Sequence, residues 1–167
     1  SWEGFVKSLA DTTRISCMVM VIVTGAVIFG HFMAVTRVPF QLADWVTTLP
    51  LPKSAIMGVI IMVYLFGGCF MDALAMIMLT IPIFFPVSQA LGYDPIWFGV
   101  VIVLITEMGV ITPPVGVNVY VVYGVAKDVP LEAIFRGVLP MLAALLICNL
   151  ILLIFPQIAL FLPGLMR

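Results

Sequence analysis

A pair of adjacent prolines interrupts a long apolar stretch in this chain. Residues 109–118 read Gly-Val-Ile-Thr-Pro-Pro-Val-Gly-Val-Asn, with Pro113 and Pro114 at the centre. Proline has no backbone N–H and its ring clashes with the preceding turn, so a regular helix cannot run through this segment. In hydrocarbon, a freed backbone group costs several kcal/mol unless protein or water satisfies it. The segment predicts a broken helix that lines a cavity or binds a ligand; the alternative is a kinked helix whose glycines only permit close packing.

The composition places this break in a membrane. Hydrophobic residues make up 64% of the chain and charged residues only 9%, whereas a soluble domain has about 25% charged residues. We therefore expect an all-α, multi-pass integral membrane protein embedded in a lipid bilayer. The net charge of -1 provides no basic patch for a nucleic-acid partner.

Neither a metal centre nor a catalytic site is predicted by the residue pattern. Cys17, Cys69 and Cys148 lie far apart in apolar runs without metal-ligand spacing, so we interpret them as small buried hydrophobic residues. No nucleophile–base pair or phosphate loop is apparent, and a hydrolytic enzyme is therefore not expected.

Two apolar runs, residues 15–35 and 138–162, reach the roughly 20 residues that a spanning helix needs. They belong to the first and last of three predicted parts. Residues 1–53 hold an interfacial helix over residues 1–13, the first spanning helix, and a loop or short interfacial piece over residues 37–53. Residues 127–167 hold an amphipathic linker, residues 127–136, and the C-terminal spanning helix.

The middle part, residues 54–126, is predicted to be a re-entrant helical hairpin followed by a Pro-broken helix. The hairpin enters at Ser54, turns near residues 67–72 and returns by Ala90; the broken helix runs from Pro95 to Ala126. Both interruptions then lie near the bilayer midplane, which is the sequence signature of a secondary transporter's binding site.

Positive charges give a weak orientation signal, because cytoplasmic loops carry an excess of Lys and Arg. The predicted cytoplasmic group is Lys7, Arg14, Lys127 and Arg136, and the opposite group is Arg37, Lys53 and Arg167.

The break offers two kinds of ligand-binding group. Carbonyls at the end of the first half-helix, at Gly109, together with the Thr112 hydroxyl, suit a sodium ion. The N–H groups that open the second half, at Val115 and Gly116, and the amide of Asn118 suit an anionic substrate or a bridge to the hairpin.

Two acidic residues lie in apolar surroundings, where such groups usually mark functional or paired positions. Asp72 follows Gly67 and Gly68 at the hairpin tip, so it is either a second wall for the same cation, the N-cap of the returning helix, or both. Glu107 is either a proton carrier, a cation ligand or the partner of a polar group on a neighbouring helix. Asn149, in the last span, is expected to bond to a neighbouring helix.

Several motifs are spread over the middle of the chain: Gly68-x-x-x-Asp72, Pro82, Pro86, Gly92-Tyr93-Asp94-Pro95, Phe98-Gly99 and Glu107-x-Gly109-x-x-Thr112-Pro113-Pro114-x-Gly116-x-Asn118. Together they resemble a known family, the large membrane subunit of TRAP (tripartite ATP-independent periplasmic) transporters, also called the DctM-like family. The resemblance covers the C-terminal half of that subunit.

The resemblance implies one repeat of an inverted-repeat elevator transporter in a bacterial or archaeal cytoplasmic (inner) membrane. Sodium, as the coupling ion, would drive import of an organic anion such as a C4-dicarboxylate, sialic acid or another sugar acid. A periplasmic substrate-binding protein would deliver this anion, and a small membrane subunit would complete the complex. No other cofactor is implied.

Carried over by position, the resemblance implies that Gly68, Gly109 and Thr112 line a sodium site, with Asp72 at the hairpin tip and Asn118 near the substrate. The first repeat of the family is missing, so we expect a fragment that does not transport by itself.

Two other functions are compatible with the residues. One is a non-transporting membrane scaffold or assembly half, whose breaks only allow packing. The other is an intramembrane enzyme that uses Asp72 and Glu107.

Overall fold

A computed structural model describes residues 2–125 and 128–165, and this part of the chain is helical with no β-strand. Four of its helices are long and apolar enough to cross a membrane: α1 (Trp2–Thr36), α3 (Lys53–Phe70), α4 (Ala73–Ala90) and α7 (Leu131–Ile154). The protein is thus an all-α integral membrane protein, as predicted. The helices are α1 (Trp2–Thr36), α2 (Val38–Thr48), α3 (Lys53–Phe70), α4 (Ala73–Ala90), α5 (Pro95–Ile111), α6 (Val117–Val125), α7 (Leu131–Ile154) and α8 (Gln157–Leu165).

Helix α5 is the central element of the fold. Helices α3, α4, α6, α7 and α8 all contact it. Its sequence is apolar on nearly every face, which is typical of a helix surrounded by other helices. The side chains that it buries include Trp97, Phe98, Val101, Ile102 and Ile105.

The predicted helix–turn–helix of the middle part is present as α3 and α4. The chain turns at Met71 and Asp72, and the Asp72 side chain caps α4. Helix α4 continues through Pro82 and Pro86. Each arm has 18 residues, enough by length to cross a bilayer, so re-entry of the hairpin stays a prediction.

The N-terminal part differs from the predicted separate interfacial and spanning helices, because α1 is one continuous helix of 35 residues. Residues 5–24 contain neither Gly nor Pro, so nothing interrupts the helix between the charged and the apolar sections. The hydroxyls of Thr12 and Thr13 donate to the carbonyls of Ser8 and Leu9 within the same helix. Ser1 lies outside the described residues.

The segment over residues 37–53, predicted to be a loop or a short interfacial piece, contains a helix, α2. Arg37 has a left-handed backbone (φ 56°) that turns the chain between α1 and α2. Pro39 is tolerated in the first turn of α2, where its missing N–H has no helical partner to lose. Pro39, Ala43 and Val46 are buried, because α2 packs against α4.

The C-terminal part also differs from the prediction. Most of the amphipathic linker, residues 127–136, is the beginning of α7, which starts at Leu131 after Pro130. The last span does not run unbroken to residue 162: α7 ends at Ile154 and α8 starts at Gln157, with Pro156 between them. Ala126, Lys127 and Arg167 lie outside the described residues, and the predicted orientation and three-part division stay predictions.

Candidate functional site

Helices α3 and α5 touch through their backbones at two glycines. A Cβ atom placed on Gly109 would lie 2.7 Å from the carbonyl oxygen of Leu65 and 2.8 Å from the Cα of Gly68. A Cβ atom placed on Gly68 would lie 2.9 Å from the carbonyl oxygen of Thr106. No side chain fits at either position without separating the helices. This contact brings the end of the first hairpin arm against the end of the first half-helix.

The helix break lies next to this contact. Pro113 and Pro114 cannot donate to the carbonyls four residues earlier, at Gly109 and Val110. The Gly109 carbonyl accepts instead from the Thr112 N–H, at 3.0 Å. The predicted break is therefore present, and carbonyl groups at the end of α5 lose their regular helical donors.

Thr112 is the C-cap residue of α5. Its hydroxyl donates to the Met108 carbonyl, which leaves the lone pairs of the hydroxyl oxygen free to accept a bond or to ligate a cation. The half-buried Thr112 side chain lies at the first turn of the break. The backbone and the hydroxyl thus supply oxygen atoms of the type that a hard cation binds.

The second half of the break begins at Gly116. Gly116 is buried and has a left-handed backbone, with φ of 61°. Its carbonyl accepts from the Val119 N–H at 2.8 Å and so starts α6. Asn118 lies in the first turn of α6 with an exposed side chain. An exposed amide beside a helix N-terminus is available to an anion, which is the role predicted for Gly116 and Asn118.

Cys69 joins the hairpin tip to the break, a contact that the sequence analysis did not foresee. Its side chain is 2% exposed. The thiol donates to the Leu65 carbonyl at 3.2 Å and lies 3.9 Å from the carbonyl oxygen of Pro113. Only its position directly after Gly68 in the sequence could have indicated this place. Cys17 and Cys148, which were also predicted to be buried, are exposed in the structure.

Asp72 caps helix α4, as one of its two predicted roles required. Its Oδ2 atom accepts from the Leu74 N–H at 3.0 Å and from the Ala75 N–H at 3.4 Å. The residue is exposed, so the carboxylate keeps a free oxygen. The role of Asp72 as a wall of a cation site stays a prediction.

Glu107 is exposed on α5, between the buried Thr106 and Met108. Among the described residues, no group of three or more His, Cys, Asp or Glu side chains comes together.

Asn149 makes the predicted bond to a neighbouring helix. Its Nδ2 donates to the sulfur of Met108 on α5, at 3.6 Å. Tyr64, on α3, is fully buried and was not predicted as a site residue. A phenol inside a long apolar run was the available signal.

Comparisons with known proteins agree on one family. A family model described as "Tripartite ATP-independent periplasmic transporter, DctM component" matches residues 1–158. The sialic acid TRAP transporter large permease protein SiaM of Vibrio cholerae is 37% identical over 163 residues, which are 98% of this chain and 38% of the relative. The C4-dicarboxylate TRAP transporter large permease protein DctM of Pseudomonas aeruginosa is 38% identical over 158 residues, 95% of this chain and 37% of the relative.

A third relative is named for a different substrate. The isethionate TRAP transporter permease protein DctMQ of Oleidesulfovibrio alaskensis is 37% identical over 164 residues, 98% of this chain and 26% of the relative. The chain therefore spans between about a quarter and two fifths of the length of these relatives.

Proposed function

Because this chain belongs to the DctM family of tripartite ATP-independent periplasmic transporters, we propose that it forms the sodium-binding second repeat of a transporter subunit that imports an organic anion. The chain covers only part of its relatives, so the transport activity belongs to the complete subunit and its complex. Three relatives are named as transporter permeases for sialic acid, C4-dicarboxylates and isethionate. All three are organic acids, which supports an organic anion as the substrate class.

The backbone contact between Gly68 and Gly109 is the observation that carries this proposal. It places the hairpin tip beside carbonyls that Pro113 and Pro114 deprive of their regular donors. Backbone carbonyls at the C-terminal end of a half-helix are the groups with which transporters of this type coordinate sodium. Gly68, Gly109, Thr112 and Asp72 are the proposed sodium-binding residues.

The second half of the break is the proposed anion side. Gly116 and Asn118 open helix α6, whose N-terminal N–H groups carry partial positive charge. The proposal includes a periplasmic substrate-binding protein that delivers the anion and a small membrane subunit as partners. It places the complex in the cytoplasmic membrane of a bacterium or archaeon.

The test is sodium-dependent uptake by the complete transporter with the substitution Thr112→Val. Valine keeps the shape of threonine but cannot ligate a cation. We expect the sodium concentration for half-maximal uptake to rise about tenfold, equivalent to about 1.4 kcal/mol of sodium binding. Thr24→Val is the matched control, because the Thr24 hydroxyl makes the same kind of bond, to the Met20 carbonyl, on helix α1. Wild-type uptake that is indifferent to sodium would refute the proposal.

A membrane scaffold is the second candidate, and one observation favours it. Gly68 and Gly109 allow two helix backbones to touch, which glycines do at purely structural helix crossings as well. If the chain is only a scaffold, sodium has no effect on the thermal stability of the protein in detergent. A sodium site instead predicts that the melting temperature rises with sodium concentration. The relatives are named as transporter permeases, and nothing favours an enzyme that uses Asp72 and Glu107.

A further inference from the structure

Asn149 is the most deeply buried side-chain amide in the described part of the chain. It is 3% exposed and lies on the face of α7 that packs against α5, one turn before the buried Leu152. Its Nδ2 donates to the Met108 sulfur at 3.6 Å. Its Oδ1 is buried without a hydrogen-bond partner.

Stability alone does not account for an asparagine at this position. A thioether sulfur is a weak acceptor, and a buried amide oxygen without a partner is unfavourable. Leucine has the same branched side-chain shape without either disadvantage, and leucines occupy neighbouring positions on the same face of α7, Leu145 and Leu152. The contact of the amide with Met108 therefore explains its presence better than packing does.

Met108, which Asn149 contacts, belongs to the last turn of α5. Met108 is 6% exposed, and its carbonyl accepts the hydroxyl of Thr112. Gly109, whose carbonyl turns toward the Thr112 N–H, directly follows it. The Asn149 side chain thus connects α7 to the turn that presents the proposed sodium ligands.

We propose that Asn149 is a positioning residue for the sodium site, which fixes the last turn of α5 through its contact with Met108. This inference rests on the proposed sodium-coupled function. Asn149 itself does not touch the ion. Its loss loosens the turn, so that the carbonyl of Gly109 and the hydroxyl of Thr112 are less well oriented before sodium binds.

The experiment measures uptake by the complete transporter against sodium concentration for Asn149→Leu, Met108→Leu and the double variant. We expect Asn149→Leu to raise the half-saturating sodium concentration about fivefold and Met108→Leu to change it in the same direction. The double variant should have no larger effect than Asn149→Leu alone, because the effects of two residues in direct contact are not additive. The maximal rate at saturating sodium should stay within about twofold, since the effect is on binding of the ion.

Leu145→Val is the matched control. It lies on the same face of α7 and removes packing volume without touching the amide–sulfur contact, so it should lower the melting temperature and leave the half-saturating sodium concentration unchanged. Purely structural damage from Asn149→Leu would follow this control pattern and overturn the inference. Additive effects of the two substitutions would overturn it as well.

If Asn149→Leu does not fold, Met108→Leu decides the question, because it removes the sulfur and keeps the apolar bulk. An unchanged half-saturating sodium concentration in that variant refutes the positioning role. Sodium-dependent wild-type uptake combined with this result leaves the proposed function intact. Wild-type uptake that does not depend on sodium would refute both the proposed function and the positioning role of Asn149.

Discussion

The indole of Trp97 donates a hydrogen bond to the backbone carbonyl of Leu152, with an Nε1–O distance of 2.8 Å. In a regular helix this carbonyl would accept from the N–H four residues later, but that residue is Pro156, which has none. Trp97 is 3% and Leu152 7% exposed, so water does not reach the group. A side chain at the start of α5 thus replaces the donor that the break between α7 and α8 removes.

Trp97→Phe should destabilise the protein, because it leaves the Leu152 carbonyl buried without a donor. The expected loss is about 1–3 kcal/mol in the free energy of unfolding, with a further contribution from the smaller ring. Denaturant unfolding of the intact permease in detergent measures it. Trp45→Phe is the control, since Trp45 is 60% exposed and its loss should cost less than about 0.5 kcal/mol. Equal stability of the two variants would contradict the role assigned to the indole.

Gly109→Ala should separate α3 from α5. The new methyl group would lie 2.7 Å from the Leu65 carbonyl oxygen and 2.8 Å from Gly68, and both of these are backbone atoms that cannot rotate away. We expect overpacking to lower the free energy of unfolding by about 1–3 kcal/mol. Uptake should also be lost, because the hairpin tip moves away from the helix break.

The control for this substitution lies on the same helix. A Cβ atom on Gly99 meets nothing within 4 Å, so Gly99→Ala should be neutral or slightly stabilising through its better helix propensity. Thermal unfolding and uptake assays on both variants give the comparison. A Gly109→Ala variant that unfolds and transports like Gly99→Ala would show that the tight crossing is not required.

The Pro-Pro break and the aspartate caps are the part of this fold that the sequence predicts well. Proline and an N-cap aspartate act within a few residues, so the end of α5 before Pro113, the start of α5 at Pro95 and the cap at Asp72 could all be located without the structure. The continuity of α1 was missed for the opposite reason. Its charged and apolar sections differ in composition, but no residue between them breaks a helix.

Packing partners are the part that the sequence does not reveal. Soluble helices mark their buried face by an apolar stripe, but α3 and α5 are apolar all round, so periodicity does not identify the side that faces another helix. The crossing at Gly68 and Gly109 and the contact of Asn149 with Met108 depend on that choice. The site residues could be proposed from local chemistry, whereas their spatial relationship required the fold.

Asp72→Asn separates the two roles of this aspartate. Asparagine caps a helix about as well as aspartate does, so the capping bonds to Leu74 and Ala75 should persist and the stability should hardly change. If the carboxylate also faces the sodium ion, the half-saturating sodium concentration for uptake should rise several-fold. Asp72→Ala should in addition cost about 1 kcal/mol of stability through the lost cap.

Asp94→Asn is the control for the charge change. Asp94 is also an exposed N-cap, whose Oδ1 accepts from Ile96 and Trp97 at the start of α5, and it lies at the far end of that helix from the break. Its substitution should leave both stability and sodium dependence unchanged. An Asp72→Asn variant that behaves the same way would limit Asp72 to its capping role.

Gly116→Ala should impair the restart of the helix after the break. Gly116 has φ of 61°, a left-handed conformation that costs a residue with a Cβ atom about 1–2 kcal/mol. The added methyl group would also lie 3.3 Å from the ring of Phe135, so α6 would begin with a different direction. We expect lower stability together with weaker substrate binding, because the N–H groups proposed to bind the anion belong to this turn.

Gly124→Ala is the control on the same helix. A Cβ atom on Gly124 meets nothing within 4 Å, so this substitution should stabilise α6 slightly. Melting temperature and substrate affinity of the two variants in the complete transporter distinguish the cases: a Gly116→Ala protein as stable and as active as Gly124→Ala would mean that the left-handed turn is not needed to orient α6.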